Sequence, residues 1–336
     1  GGGLTKVISQ IEASEIATWE IAPSRWVALT ALSAAAFLTL PRMFQVLVVE
    51  NDDERHLRFA AWAFPTYLLL ISLFIVPIAV VGRSILPEGT NPDLYVLSIP
   101  LTSGNTGLAV MSFLGGFSSA TSMVIVAAIA LSTMVSNHIV MPIWLRLMGG
   151  GALMSGDLRN VVLLSRRFSI IGVVFLGYVY YRISGGGAAL AAIGLVSFAG
   201  VAQFLPALLG GLFWRGSTRN GAVAGLLLGF SIWIWTMFLP SFGPDAALSA
   251  SVFSEGPWGI GALRPQALFG FEGLDPLVHA VFWSLSLNTL AFIVVSLVSF
   301  PAPLERLQGA QIVDVFRHST RGQRWRGGMV QSEDLL

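Results

Sequence analysis

TGLAVMSFLGGFSSATSMVIVAAIALSTMVSNHI, residues 106–139, contains no Asp, Glu, Lys or Arg. An apolar run of this kind is a membrane helix, because a spanning segment must satisfy its backbone internally and expose only side chains that hydrocarbon tolerates. At about 1.5 Å of rise per residue the run exceeds a bilayer core of about 30 Å, so it must tilt or project at one end. In its middle, two glycines and four hydroxyls (Gly115, Gly116, Ser118, Ser119, Thr121 and Ser122) stand where a lipid-facing helix would carry Leu or Phe. Gly115, Ser118, Ser119 and Ser122 fall at i, i+3, i+4 and i+7, which places them on one face.

The rest of the chain reads the same way. Charged residues make up 11% of the 336 and hydrophobic residues 54%, against roughly 25% charged in soluble domains. Apolar runs recur at about 24–49, 57–82, 106–139, 167–183, 187–213, 219–240 and 277–300, giving an all-α polytopic membrane protein of about seven spans. Residues 1–23 read as an extracytoplasmic segment, 24–300 as the transmembrane domain and 301–336 as an Arg-rich tail. Connections are punctuated by Pro87 and Pro92, by 149–151 and 185–187, and by Pro240, Gly243 and Pro244. With no Cys, the chain has no disulfide, thiolate metal site or Cys nucleophile. Its net charge of +1 gives no reason to expect nucleic acid.

Orientation follows from basic residues in the short loops. One set of loops holds Arg55 and Arg58; Arg146, Arg159, Arg166 and Arg167; Arg215 and Arg219; and the tail from Arg306 to Arg326. The opposite set holds Lys6, Arg25, Arg83, Arg182 and Arg264. The first set is the richer, so the carboxyl end is expected in the cytoplasm and the amino end outside. Trp144, Tyr178, Tyr180, Tyr181, Trp214 and Trp283 are placed as an interfacial aromatic belt.

Several positions could carry chemistry. Packing is the commoner use of small residues in a membrane helix. The pattern Gly115-x-x-Ser118-Ser119, however, sets one carbonyl and two adjacent hydroxyls beside one point of the helix, an oxygen set suited to a small desolvated cation. In the first span Pro41 interrupts an apolar helix, with Arg42 beside it. Pro removes a backbone bond, and breaks of this kind are tolerated where they line a cavity, so a plain kink and a contact to a transported solute both stand. Arg42 is either functional at depth or snorkels to the interface. Gln203 and Pro206 mark a second kinked helix, and Asn288 is another intramembrane amide; both amides suit interhelical hydrogen bonds. The cluster from Glu50 to Arg55 suits a solvated loop that caps the next helix. The four His have no partners at ligand spacing, which argues against a metal site of the His type. No phosphate loop, His-Glu-x-x-His or paired intramembrane carboxylate is present, so this chain is not read as an enzyme.

Thr39-Leu40-Pro41-Arg42-Met43-Phe44, followed by Val48 to Arg58 (VVENDDERHLR), resembles the sodium/solute symporter family. In particular it resembles the symporter-like membrane module of certain bacterial sensor histidine kinases. Gly115 to Ser122, Gln203 to Arg215 (QFLPALLGGLFWR) and Leu304 to Ala310 (LERLQGA) are similar to that family in the same order. The resemblance implies the second half of a leucine-transporter-type inverted-repeat core plus two flanking helices. It makes the first span core helix six and the third span core helix eight. It further implies a sodium ion held in part by Gly115, Ser118 and Ser119, the other ligands coming from core helix one. Core helices one to five, the first repeat, are missing from this chain. Pro41, Arg42 and Gln203 become candidates for substrate contact or gating. The family's usual Gly-Gln-Pro-His in core helix six departs here to Leu40-Pro41-Arg42, which leaves substrate identity open. The function implied is sodium-coupled symport of a small organic solute, such as an amino acid or organic acid, across the bacterial inner membrane. The alternative is a sensory input module whose parent carries a cytoplasmic kinase region, with or without transport.

Overall fold

The computed structural model describes residues 21–147, 158–183, 190–243 and 248–313, together with 8, 9 and 11. Most of the amino-terminal segment, the glycine connections at 149–151 and 185–187, Pro244 and the Arg-rich tail beyond Val313 lie outside the described residues.

In chain order the helices are α1 (Pro23–Thr39), α2 (Pro41–Phe44), α3 (Glu54–Ser72), α4 (Ile75–Ile85), α5 (Tyr95–Thr102), α6 (Thr106–Val135), α7 (Met141–Leu147), α8 (Leu158–Ile183), α9 (Leu190–Ala202), α10 (Leu205–Phe213), α11 (Arg219–Trp233), α12 (Ala250–Glu255), α13 (Pro276–Val298) and α14 (Pro303–Val313). There is no strand among the described residues. Six helical segments are long and apolar enough to cross a membrane, and the bent pair Pro23–Thr39 and Pro41–Val49 makes a seventh span if counted as one. The chain is an all-α polytopic membrane protein.

Each span matches an expected one, with boundaries displaced for local reasons. The third runs on to Leu147, because wide turns at Ser136–Val140 carry α6 into α7 without a break. Such π-turns accommodate an extra residue inside a continuing helix. The fourth begins at Leu158, so Arg159, Arg166 and Arg167 are helical and not loop residues. Arg is a good helix former whose long stem covers apolar surface while its head reaches water. The loop after the sixth span carries α12 and several short 3₁₀ turns between Gly243 and Asp275. Trp283, expected in an interfacial belt, sits two turns inside α13 against Phe269, Phe271 and Phe282.

The chain divides into two compact units. One comprises Gly1–Ile21 and Gln45–Val179, the other Ala22–Phe44 and Tyr180–Leu336. In the first unit, Asp53 caps α3 by accepting from the Arg55 N–H at 2.8 Å, as the charge cluster suggested. Tyr95 of α5 lies flat on Gly82 of α4, where any Cβ would overlap its ring. Buried Ser165 of α8 donates to Ser136 Oγ at 3.0 Å, tying α8 to the π-turn.

The second unit has the denser core. Leu32 and Ala35 of α1, Ala199 and Ala202 of α9, and Leu277 and Val281 of α13 form one buried apolar cluster. Asp275 caps α13 through the Leu277 N–H at 2.9 Å and also pairs with Arg25 of α1 at 2.5 Å. Helices α11 and α13 approach most closely, through Gly221, Gly225 and Gly229. These sit one turn apart and face Ser296, Phe292 and Asn288, also one turn apart. A Cβ on Gly225 would stand 2.7 Å from Asn288 Oδ1 and 2.9 Å from the Asn288 carbonyl oxygen. On Gly221 it would overlap Ser296 Oγ and stand 2.8 Å from the Phe292 carbonyl oxygen. Small residues at this spacing let helix backbones meet where lipid offers no hydrophobic drive to association.

Candidate functional site

The hydroxyl stripe of α6 is exposed throughout. Gly115, Gly116, Ser118, Ser119, Thr121 and Ser122 are all open, and a Cβ at Gly115 or Gly116 would meet nothing within 4 Å. Tight packing would require a close neighbour, and among the described residues none is present. Thr121 donates back to the Phe117 carbonyl at 2.7 Å, the usual way a helix absorbs a hydroxyl. Ser118 and Ser119 have no hydrogen-bond partner among the described residues. The helix runs unbroken from Thr106 to Val135. The Gly115 carbonyl is therefore not freed by a break and offers only its second lone pair. One carbonyl and two hydroxyls on a single face form a partial set of hard oxygen donors, the type that suits Na⁺ or another hard cation.

The first span breaks where Pro41 was expected to break it. Leu40 leaves the helix in an extended conformation (φ −66°, ψ 125°), and the axes on either side differ by 54°. Pro41 has no N–H to offer the preceding turn. The last carbonyls of α1 and the first N–H groups of α2 therefore lack partners in a continuous helical ladder, although the Leu40 carbonyl accepts from the Phe44 N–H at 2.9 Å. Arg42 is half-buried, with no ion pair among the described residues.

Gln203 is at the centre of the second unit's polar node. Residues 203 and 204 form a turn between α9 and α10, and Pro206 starts the second half in the position where its missing N–H costs nothing. The Gln203 side chain is fully buried. Its Nε2 donates to the Ala199 carbonyl at 3.1 Å and to Ser284 Oγ at 2.9 Å. Asn288 Nδ2 donates to the Gln203 carbonyl at 2.8 Å and to its Oε1 at 3.1 Å. Both amides thus make the interhelical bonds expected of them, and they make them to each other. With both N–H donors engaged, Gln203 has none left to offer a solute; its bonds instead fix the kink between α9 and α10.

The structure joins Gln203 to Ser284 and Asn288, of which the sequence reading singles out only Asn288. It joins neither Pro41 nor Arg42 to Gln203 by a hydrogen bond among the described residues. The node also depends on a spacing absent from the sequence-based candidates, Gly221-x-x-x-Gly225-x-x-x-Gly229. A Cβ on Gly229 would overlap Gln203 Oε1 and stand 2.6 Å from Asn288 Nδ2. The repeated small-xxx-small spacing is the sequence signature of such a close helix contact.

Comparison with known proteins gives one distant relative. No family model matches the chain, and no solved structure matches it. A Bacillus subtilis (strain 168) protein named "Uncharacterized symporter YodF" is 26% identical over 238 residues, which are 65% of this chain and 41% of that protein. The chain thus spans about two fifths of the length of the curated relative to which it is similar, a protein named as a symporter.

Proposed function

We propose that this chain is the second repeat and two flanking helices of a sodium-coupled secondary transporter of a small organic solute. The observation that carries the reading is the exposed oxygen stripe on the third span of a polytopic chain similar to a protein named as a symporter. In this proposal the coupling ion is Na⁺. Gly115, Ser118 and Ser119 supply part of its oxygen shell, and the remaining ligands come from the first repeat in the parent. Hydroxyls left open on a membrane helix without internal partners are costly in hydrocarbon, and an ion shared with a second repeat offsets that cost. The broken span at Pro41 supplies unpaired backbone groups for the solute, and half-buried Arg42 favours a carboxylate-bearing one. Gln203 acts in gating, by holding the kink that separates α9 from α10. In this proposal the protein lies in the bacterial inner membrane with its carboxyl end in the cytoplasm, an orientation that the richer set of basic residues supports.

The alternative is a sensory input module ahead of a histidine kinase. It rests on the resemblance at Leu304 to Ala310, a segment that lies on α14. Reading the gene beyond Leu336 for a kinase core separates the two. The direct test of transport-type function is sodium-dependent binding of a panel of amino acids and organic acids to the full-length parent. Binding of at least one, strengthened by Na⁺ and not by K⁺, is expected. Binding indifferent to Na⁺ across the panel would remove the proposal.

A further inference from the structure

We infer that the second unit carries a binding site for one acyl chain of a glycerophospholipid, between α9 and α11. A cleft of about 370 Å³ opens there, lined chiefly by Tyr180, Ile193, Gly200, Phe204, Phe230 and Trp233. At about 30 Å³ per water-sized group, it has room for roughly a dozen such groups, a length of hydrocarbon chain and not a whole lipid. It lies within two membrane spans, where the surrounding solvent is hydrocarbon.

The walls are fixed by contacts within the chain. Trp233 Nε1 donates to the Val196 carbonyl at 3.1 Å, and the indole lies on Gly200, where a Cβ would be 2.8 Å from the ring. Phe230 meets Phe204 edge-on at 5.4 Å and Trp233 at 5.9 Å between ring centroids. Phe238 stacks beside both Trp233 and Tyr180. The polar groups of this wall are already used inside the chain. Ser197 donates to the Ile193 carbonyl at 3.1 Å, and the Tyr180 hydroxyl lies 3.5 Å from Ser241 Oγ, which itself donates to the Phe238 carbonyl. No charged side chain lines the cleft among the described residues. A ligand that needed hydrogen bonds would lose them on entry, whereas an alkyl chain loses nothing.

Polarity then changes along the cleft in the order an amphiphile requires. A second hollow of about 250 Å³ shares Tyr180, Ile193 and Val196 with the first, and adds Thr236, Ser241 and Gln266. These additions lie toward the span ends: the carboxyl end of the sixth span and the loop before α13. The same end of the bundle receives the last turn of α8, with exposed Arg182. Apolar depth, the Gln266 amide of the outer hollow as the donor left for an ester (the Thr236 and Ser241 hydroxyls donate to the Ile232 and Phe238 carbonyls) and exposed Arg182 just past Tyr180 form the profile of a phospholipid standing in one leaflet. A solute lacking an alkyl tail matches only the outer hollow.

The test uses the full-length parent in phosphatidylethanolamine/phosphatidylglycerol vesicles doped with phosphatidylcholine that carries a photoactivatable diazirine midway along one acyl chain. Adducts mapped by peptide mass spectrometry are expected to concentrate on α9 from Ile193 to Phe204 and on α11 near Phe230. They should exceed those on Phe175 and Leu176, exposed apolar residues of α8 outside the cleft. Val201→Trp fills the cleft and should abolish the α9 adducts while leaving those on Phe175; Ser197→Trp, at an exposed position, serves if Val201→Trp does not fold. Adducts spread evenly over all exposed apolar residues, or unchanged in the filled variants, would overturn the inference. Absence of α9 adducts in the wild type, the outcome if another segment of the parent covers the cleft, would overturn it equally.

Discussion

Removing the Asn288 amide tests whether the Gln203 node holds the second unit together. Asn288→Ala deletes both donations to Gln203, at 2.8 Å to its carbonyl and 3.1 Å to its Oε1. Both acceptors are then left in a fully buried site. Interhelical hydrogen bonds in membranes contribute about 0.6 kcal/mol on average and up to about 2, and a stranded buried acceptor costs about 1–3 kcal/mol. The loss of stability should therefore be about 1–3 kcal/mol, measured by reversible unfolding of the purified full-length protein in bicelles. The second variant, Gln203→Leu, removes the partner, and the double variant closes a cycle. Both single changes break the bond from Asn288 Nδ2 to Gln203 Oε1, whereas the bond to the Gln203 carbonyl survives in Gln203→Leu. The shared bond should make the pair non-additive by about 0.6–2 kcal/mol, the double variant losing less than the sum. Additivity within about 0.3 kcal/mol would refute the node as an energetic unit. The spacing between the residues would then be a packing accident around Gly229.

The glycine ladder gives a matched pair: Gly225→Ala should lose about 1–2 kcal/mol in the same assay, overpacking outweighing the gain in helix propensity. Gly211→Ala, where a Cβ meets nothing within 4 Å, should gain up to about 1 kcal/mol; equal effects would contradict the close approach of α11 and α13. At the start of α13, Asp275→Ala should cost about 0.5–2 kcal/mol through loss of the cap. Arg25→Met should cost at most about 1 kcal/mol, because that half-exposed ion pair is screened. A ranking with Arg25→Met the larger would show that the ion pair and not the cap matters. For the ion, Ser119→Ala in the parent should raise the Na⁺ concentration for half-maximal activity by roughly 5- to 150-fold, the equivalent of about 1–3 kcal/mol. Unchanged Na⁺ dependence with normal insertion would return the stripe to helix packing.

The spans are legible in the sequence because hydrocarbon imposes one simple rule on every residue of them. The break at Pro41 and the turn at Gln203 are legible because proline forbids a specific bond. Less can be read where two distant segments decide an outcome together. Asn288 and Gln203 each look like a residue in search of a partner, but 85 positions separate them, and nothing local says that the partner is the other. The fully buried His279, which accepts from the Leu268 N–H at 3.0 Å, stands near a span end without any local sign of the loop folded over it. The contacts of Trp283 with Phe269 and Phe271 are hidden from the sequence for the same reason, since they come from that loop. The stripe at Gly115, Ser118 and Ser119 is readable as a pattern. Its exposure in the structure sharpens the question it poses, namely what lies against it in the parent.

In the proposed function the parent couples solute movement to sodium. Uptake of a bound solute by the full-length protein in proteoliposomes, with an inward Na⁺ gradient imposed, measures it directly. Transient accumulation above the external concentration is expected, lost when Na⁺ is equal on both sides or replaced by K⁺. Uptake that merely equilibrates, at the same rate with and without the gradient, would contradict it.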